Sequence, residues 1–190
     1  MRIAIIDPDR ERALLIVDAL KDAGEFEVTV VGDASGLARR LAEIDPDVVL
    51  VDLANPGRDL MEQVALESGP LERPVAMFVD QSDEAMIRAA VEAGVSAYVV
   101  DGLRKERIKP IVDTAIARFR AFSRLRMELQ ASRAALAERK IIDRAKGILM
   151  RAKGIDEDAA YALLRKSAMD QNRKIAEIAQ SIVTAAELLA

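Results

Sequence analysis

Five short apolar runs, each set off from the next by a stretch with helical spacing, dominate the first 120 residues and leave few folds open. The runs are RIAII, FEVTVVG, PDVVLVDL, PVAMFV and AYVV. Between them lie RERALLIVDALKDAG, ASGLARRLAEI, DLMEQVALES and SDEAMIRAAVEAG, whose apolar residues recur every three to four positions. Strands this apolar must be covered on both faces, and parallel strands joined by helices achieve that. The alternation predicts an α/β domain over residues 1–120, a doubly wound parallel five-stranded sheet. Its functional groups should lie at the carboxyl ends of the strands.

From about Ile108 the strand signals stop. Pro110 fits a helix start, where its missing N–H matters least, no proline follows it, and the next glycine is Gly147. Phe119, Phe122, Leu125, Leu129, Ser132 and Leu136 recur at spacings of three and four, close to a coiled-coil seam. A helix reaching about residue 152 is roughly 65 Å long at 1.5 Å per residue, more than a small domain covers. Residues 108–138 therefore read as a long coiled-coil helix, with Phe119, Phe122, Leu125, Leu129 and Leu136 at a homodimer interface.

Residues 139–190 read as an all-α, three-helix unit. Asp156 is an N-cap candidate for EDAAYALLRKSAMD, with Glu157 and Asp158 in the first turn where the helix dipole favours them. RKIAEIAQSIVTAAELLA forms the last helix. Ile148, Leu149, Ala160, Leu163, Leu164, Ala168, Met169, Ile175, Ile178, Ala179 and Ile182 are the expected core of this unit.

Charge divides the chain. Residues 1–119 carry a net −9 and residues 120–190 a net +5, which together make the formal −4. The two parts should meet different partners. There is no cysteine and no histidine, which excludes disulfides, Cys/His zinc sites and histidine general bases and suits a reducing cytoplasm. MRIAIID runs straight into a strand pattern, so no signal peptide is expected, and no apolar run approaches the roughly 18–20 residues of a membrane span. The expectation is a cytoplasmic protein without membrane contact.

Two constellations carry chemistry. Asp7 and Asp9 follow the first strand and Asp52 ends the third, loops that lie side by side in a doubly wound sheet. Carboxylates there could hold Mg2+ and accept a phosphoryl group, although aspartate is also simply common in such loops. The second is basic: Arg144, Lys146, Arg151, Lys153, Arg165, Lys166, Arg173 and Lys174 lie on the three helical segments. An ordinary solvated surface accounts for them as well as a phosphate-binding face does. Gly147, inside DRAKGILMRAKG, costs about 1 kcal/mol against alanine in a helix. It could admit a ribose-phosphate or a neighbouring helix. Tyr161 is the only aromatic after Phe122, which disfavours extensive base stacking and leaves phosphate contacts with a few base hydrogen bonds. No helix-turn-helix recognition pattern is present, so duplex DNA is not expected.

The first 120 residues resemble the response-regulator receiver domain. VDLANPGRD matches its phosphoacceptor loop, which puts Asp52 at the acceptor position and Pro56 and Asp59 in the turn behind it. AVEAGVSAYVV matches the fourth helix and fifth strand, with Tyr98 at the aromatic switch position. Three positions depart from the pattern. Pro8 replaces a second adjacent acid, Val79 replaces the hydroxyl residue (Ser82 is nearby), and Asp101 replaces the phosphate-neutralising lysine. A carboxylate in that place repels phosphoryl oxygens by roughly 1–4 kcal/mol at about 4 Å. The resemblance therefore implies a pseudo-receiver, with no catalytic residue, no metal ligand set and no required cofactor.

Residues 139–183, RKIIDRAKGILMRAKGIDEDAAYALLRKSAMDQNRKIAEIA and the few that follow, resemble the ANTAR domain of AmiR- and NasR-type transcription antiterminators. The resemblance implies binding of hairpins in a nascent leader mRNA, which prevents a terminator hairpin from forming. It also implies control by a nitrate/nitrite-sensing repressor protein of the NasS kind. The rival expectation is a response regulator driven by phosphorylation of Asp52.

Overall fold

The computed structural model describes residues 1–24, 26–33, 35–54, 58–101 and 103–188; the side chains of 58–61 lie outside that description. It divides into two units, Met1–Arg124 and Leu125–Ala190.

The first unit contains β1 (Arg2–Ile6), α1 (Arg10–Ala23), β2 (Glu27–Val31), α2 (Leu37–Ile44), β3 (Val48–Leu53), α3 (Arg58–Glu67), β4 (Val75–Val79), α4 (Glu84–Ala93) and β5 (Ala97–Val100). The strands pair in the order β2-β1-β3-β4-β5, all parallel, as the alternation predicts. Side chains alternate between the two faces. Ala4, Ile6, Val49, Val51, Val75 and Met77 join Leu37, Leu41, Val64 and Ala90 of α2–α4. Ile3, Ile5, Val48, Leu50, Ala76 and Phe78 join Ala13, Ile16 and Leu20 of α1 and Ile108, Val112 and Ala115 of the following helix.

The strand order changes direction between β1 and β3, which makes their carboxyl ends the crevice of the fold. Ile6 lies opposite Val51 in the register, so the next pair along is Asp7 and Asp52. Topology alone thus sets two carboxylates side by side.

Helix α5 runs Lys105–Lys153. It starts earlier than the proline suggests, which puts Pro110 in the second turn. The carbonyl of Glu106, left without that N–H, belongs to an exposed residue and can meet solvent. Gly154, at φ 66°, ends the helix in the left-handed region and donates its N–H to Met150 O at 2.9 Å.

In the second unit, α6 (Glu157–Asp170) and α7 (Ile175–Leu188) pack with the end of α5. Asp156 caps α6 as its sequence position predicts, its carboxylate accepting from Ala159 N at 2.8 Å. The core is Ala145, Leu164, Ala168, Ile178, Ala179 and Val183, flanked by Ile148, Leu149, Ile175 and Ile182. Two expected core residues are not there: Leu163 is exposed and Met169 is 70% exposed. Helix α6 turns Ala160, Leu164 and Ala168 inward at spacings of four. Leu163 and Met169 each sit about 100° off that stripe.

Candidate functional site: the acidic pocket and the basic helices

At the ends of β1 and β3, Asp52 is fully buried and Asp7 is 2% exposed. Asp9 does not join them. It is the N-cap of α1, and its Oδ1 accepts from Glu11 N at 2.8 Å and Arg12 N at 3.3 Å. Its own N–H donates to Asp7 Oδ1 at 2.8 Å, while Asp7 Oδ2 is buried with no partner. Burial, and then the nearby charge of Asp52, push the Asp7 carboxyl up to about 6, against the pull of that backbone N–H.

The acidic residue that completes the pocket is Asp80, just past β4, whose N–H donates to Ala54 O at 2.9 Å. Between Asp80 and Asp52 lies Arg12. Its Nε donates to Asp52 Oδ2 and its Nη2 to Asp52 Oδ1, both at 2.8 Å. Nη1 and Nη2 donate to Asp80 Oδ2 and Oδ1 at 3.0 and 2.9 Å. Four N–H groups of one planar fork thus grip two carboxylates in bidentate fashion, the geometry for which guanidinium is suited. The hydrogen bond to Asp52 is the largest influence raising Arg12's pKa further.

The local sequence explains the placement. Asp9 starts α1, so Arg12 stands in its first turn, directly after the β1 end. Asp52 shares the sheet face of Leu50, the face that α1 covers. Sequence reasoning missed both Arg12 and Asp80. A cation three residues after the cap of the helix that follows the acidic strand was the available signal.

The residues present do not fit Mg2+ at this pocket. Both oxygens of Asp52 are engaged by a cation, and Asp9 is turned to the helix. Among the described residues no group of three acidic side chains is arranged to hold a metal.

The other receiver positions are placed as follows. Val79 ends β4 and is buried in the sheet. Ser82 Oγ and Tyr98 Oη share a hydrogen bond at 2.8 Å, and Tyr98 packs on the core beside α4. Asp101 is exposed at φ 48°, its N–H donating to Val79 O at 2.9 Å. Pro56 and the Asp59 side chain lie outside the described residues.

The basic positions fall into two groups. Lys146 is held by Asp143 at 2.7 Å and Glu157 at 2.6 Å, Arg144 by Glu187 at 2.7 Å, and Arg173 by Glu177 at 3.1 Å. Arg151, Lys153, Arg165, Lys166 and Lys174 have no carboxylate partner among the described residues. Gly147 lies inside α5, and a Cβ there would meet only the Arg151 Nη1 at 3.6 Å, an ordinary contact. Among the described residues no neighbouring helix occupies the space of that Cβ. Along α5, Phe122, Leu125, Leu129 and Leu136 are exposed, and Phe119 is half-buried.

Residues 130–183 match the ANTAR domain family. The chain is 26% identical over 183 residues to the transcriptional regulatory protein PdtaR of Mycobacterium tuberculosis, covering 96% of this chain and 89% of that protein. It is 44% identical over 57 residues to a nitrate regulatory protein of Klebsiella oxytoca, covering 30% of this chain and 14% of that protein. Among solved structures, it is similar to the N-terminal domain of a response regulator/sensory box/GGDEF three-domain protein from Carboxydothermus hydrogenoformans. That likeness has a TM-score of 0.52 at 21% identity, covers 64% of this chain and 98% of the other, and concerns the fold.

Proposed function

From a chain that joins a receiver-like sheet to an ANTAR-matching segment, we propose an RNA-binding transcription antitermination regulator whose receiver-like domain works without phosphorylation. One observation carries the reading. The ANTAR match falls on a helical unit that displays cations without carboxylate partners, although the chain as a whole is acidic. Such cations neutralise RNA phosphates and release counterions, the main source of affinity in this class of complex. The RNA is a hairpin in a nascent leader transcript, and its capture keeps the terminator from forming.

The exposed seam Phe122, Leu125, Leu129 and Leu136 supports a homodimer through α5. Two RNA surfaces then act at high effective concentration on a pair of hairpins. The likeness to a nitrate regulatory protein supports control of nitrate or nitrite assimilation through a sensing partner protein.

In the receiver-like domain, Arg12 performs internally the charge neutralisation that phosphate chemistry elsewhere obtains from a metal ion. An attacking carboxylate oxygen must be free, and both oxygens of Asp52 are occupied. This weighs against the phosphorylation-driven alternative. The test is transcription through a leader with a terminator: the protein should raise read-through, and unchanged read-through overturns the reading.

A further inference from the structure

The geometry points to the turn between α6 and α7 as the pocket that takes one unpaired base of the RNA loop, read by Asn172 and Met169. The inference rests on the RNA-binding reading and assigns it a specific subsite.

Two of the depressions on the helical unit bear comparison. One, of about 360 Å3, is beside the segment that contains Gly147 and has Tyr161 in its wall. Glu138 and Asp143 also line it, and its Lys146 is already held by Asp143 and Glu157. A phosphate entering there meets the carboxylates of Glu138 and Asp143 and a lysine already paired, which leaves Arg139 alone to attract it. The other, of about 420 Å3, is formed by Arg165, Ala168, Met169, Asn172, Arg173 and Lys174. Among the described residues no carboxylate lines it. Arg165 and Lys174 are without acidic partners among the described residues.

The chemistry of this second depression suits a nucleotide. The cations meet the phosphates on either side of the base. Met169, 70% exposed although apolar, offers a soft polarisable surface to a base face. Asn172 carries both a donor and an acceptor, the pairing needed for a base edge. It is set in the left-handed region at φ 51°, and the turn is closed by Arg173 N to Ala168 O at 2.9 Å and Asn172 N to Met169 O at 3.2 Å. An unstacked base is how single-stranded RNA loops present sequence to proteins.

Asparagine in this backbone region also serves simply to end a helix, and the test separates that role. Asn172→Gly keeps the left-handed conformation and removes the amide. Met169→Ala removes a side chain that the fold does not bury. A pool of RNA hairpins with fully randomised loops is selected on the full chain and sequenced, and the enriched hairpin is titrated against wild type and both variants. Both variants should melt like wild type, bind the enriched hairpin about tenfold more weakly and lose the preference at one loop position. If wild type enriches no hairpin, the RNA-binding reading itself fails. If it enriches one and both variants keep the same consensus and affinity, or lose affinity equally for every loop, the pocket assignment is wrong.

Discussion

Replacing Arg12 by alanine tests the occupied pocket most sharply. The change leaves Asp52, which has no solvent exposure, as a buried carboxylate without a cation, beside a second buried carboxylate at Asp7. Removing one partner of a buried pair costs roughly 3–5 kcal/mol. The Asp80 half of the clamp adds little, because its side chain is 42% exposed and solvent takes over. Arg12 is itself 23% exposed, which favours the lower end, about 3 kcal/mol. At roughly 3–4 °C per kcal/mol for a unit of this size, Tm of the sheet domain should fall by about 10 °C at pH 8. Asp52→Asn added to Arg12→Ala should restore part of the loss. Calorimetry of the three proteins decides it. An Arg12→Ala protein melting within about 2 °C of wild type at pH 8, or a double variant no better than the single, refutes the clamp.

Other expectations concern separate parts of the chain. Asp7 binds a proton more tightly folded than unfolded, so its contribution is present below about pH 4 and is lost as pH rises to about 6; Asp7→Asn should remove that slope from a stability-against-pH series. The carboxyls held low, Asp45 and Asp143, lose their contributions only on the acid side of that window. Leu129→Glu puts a charge into the α5 seam at a cost of several kcal/mol on association, so sedimentation should shift toward monomer, and an unchanged mass removes the coiled-coil argument. Gly147→Ala has room for its methyl and should raise stability by about 0.5–1 kcal/mol, read in a thermal melt; an alanine variant that melts early makes the glycine structural.

The fold was legible because its evidence is periodic. Five apolar runs separated by helical spacing require a covered parallel sheet, and the register that follows brings Asp7 to Asp52. The site was legible only in part. Asp9 reads as a member of the acidic group and proves to be a helix cap, two roles that aspartate fills equally well after a strand. Arg12 was invisible for a different reason. An arginine in an amphipathic helix is ordinarily solvated, and only the packing of α1 over the Asp52 face turns it inward. Met169 illustrates the converse, since an apolar residue at helical spacing reads as core until the inward stripe of Ala160, Leu164 and Ala168 is known. Among the cations, sequence lists eight alike, whereas geometry separates those already held by carboxylates from those left to meet a ligand.

Under the proposed function, RNA capture needs no phosphoryl group on Asp52. Its most direct measurement is the affinity of the full chain for its enriched hairpin, before and after incubation with acetyl phosphate and Mg2+, with intact mass recorded on the same samples. Binding should be tight, salt-dependent and the same in both samples, with no added phosphoryl mass. Binding that appears only after treatment, together with stoichiometric phosphorylation of Asp52, would contradict it.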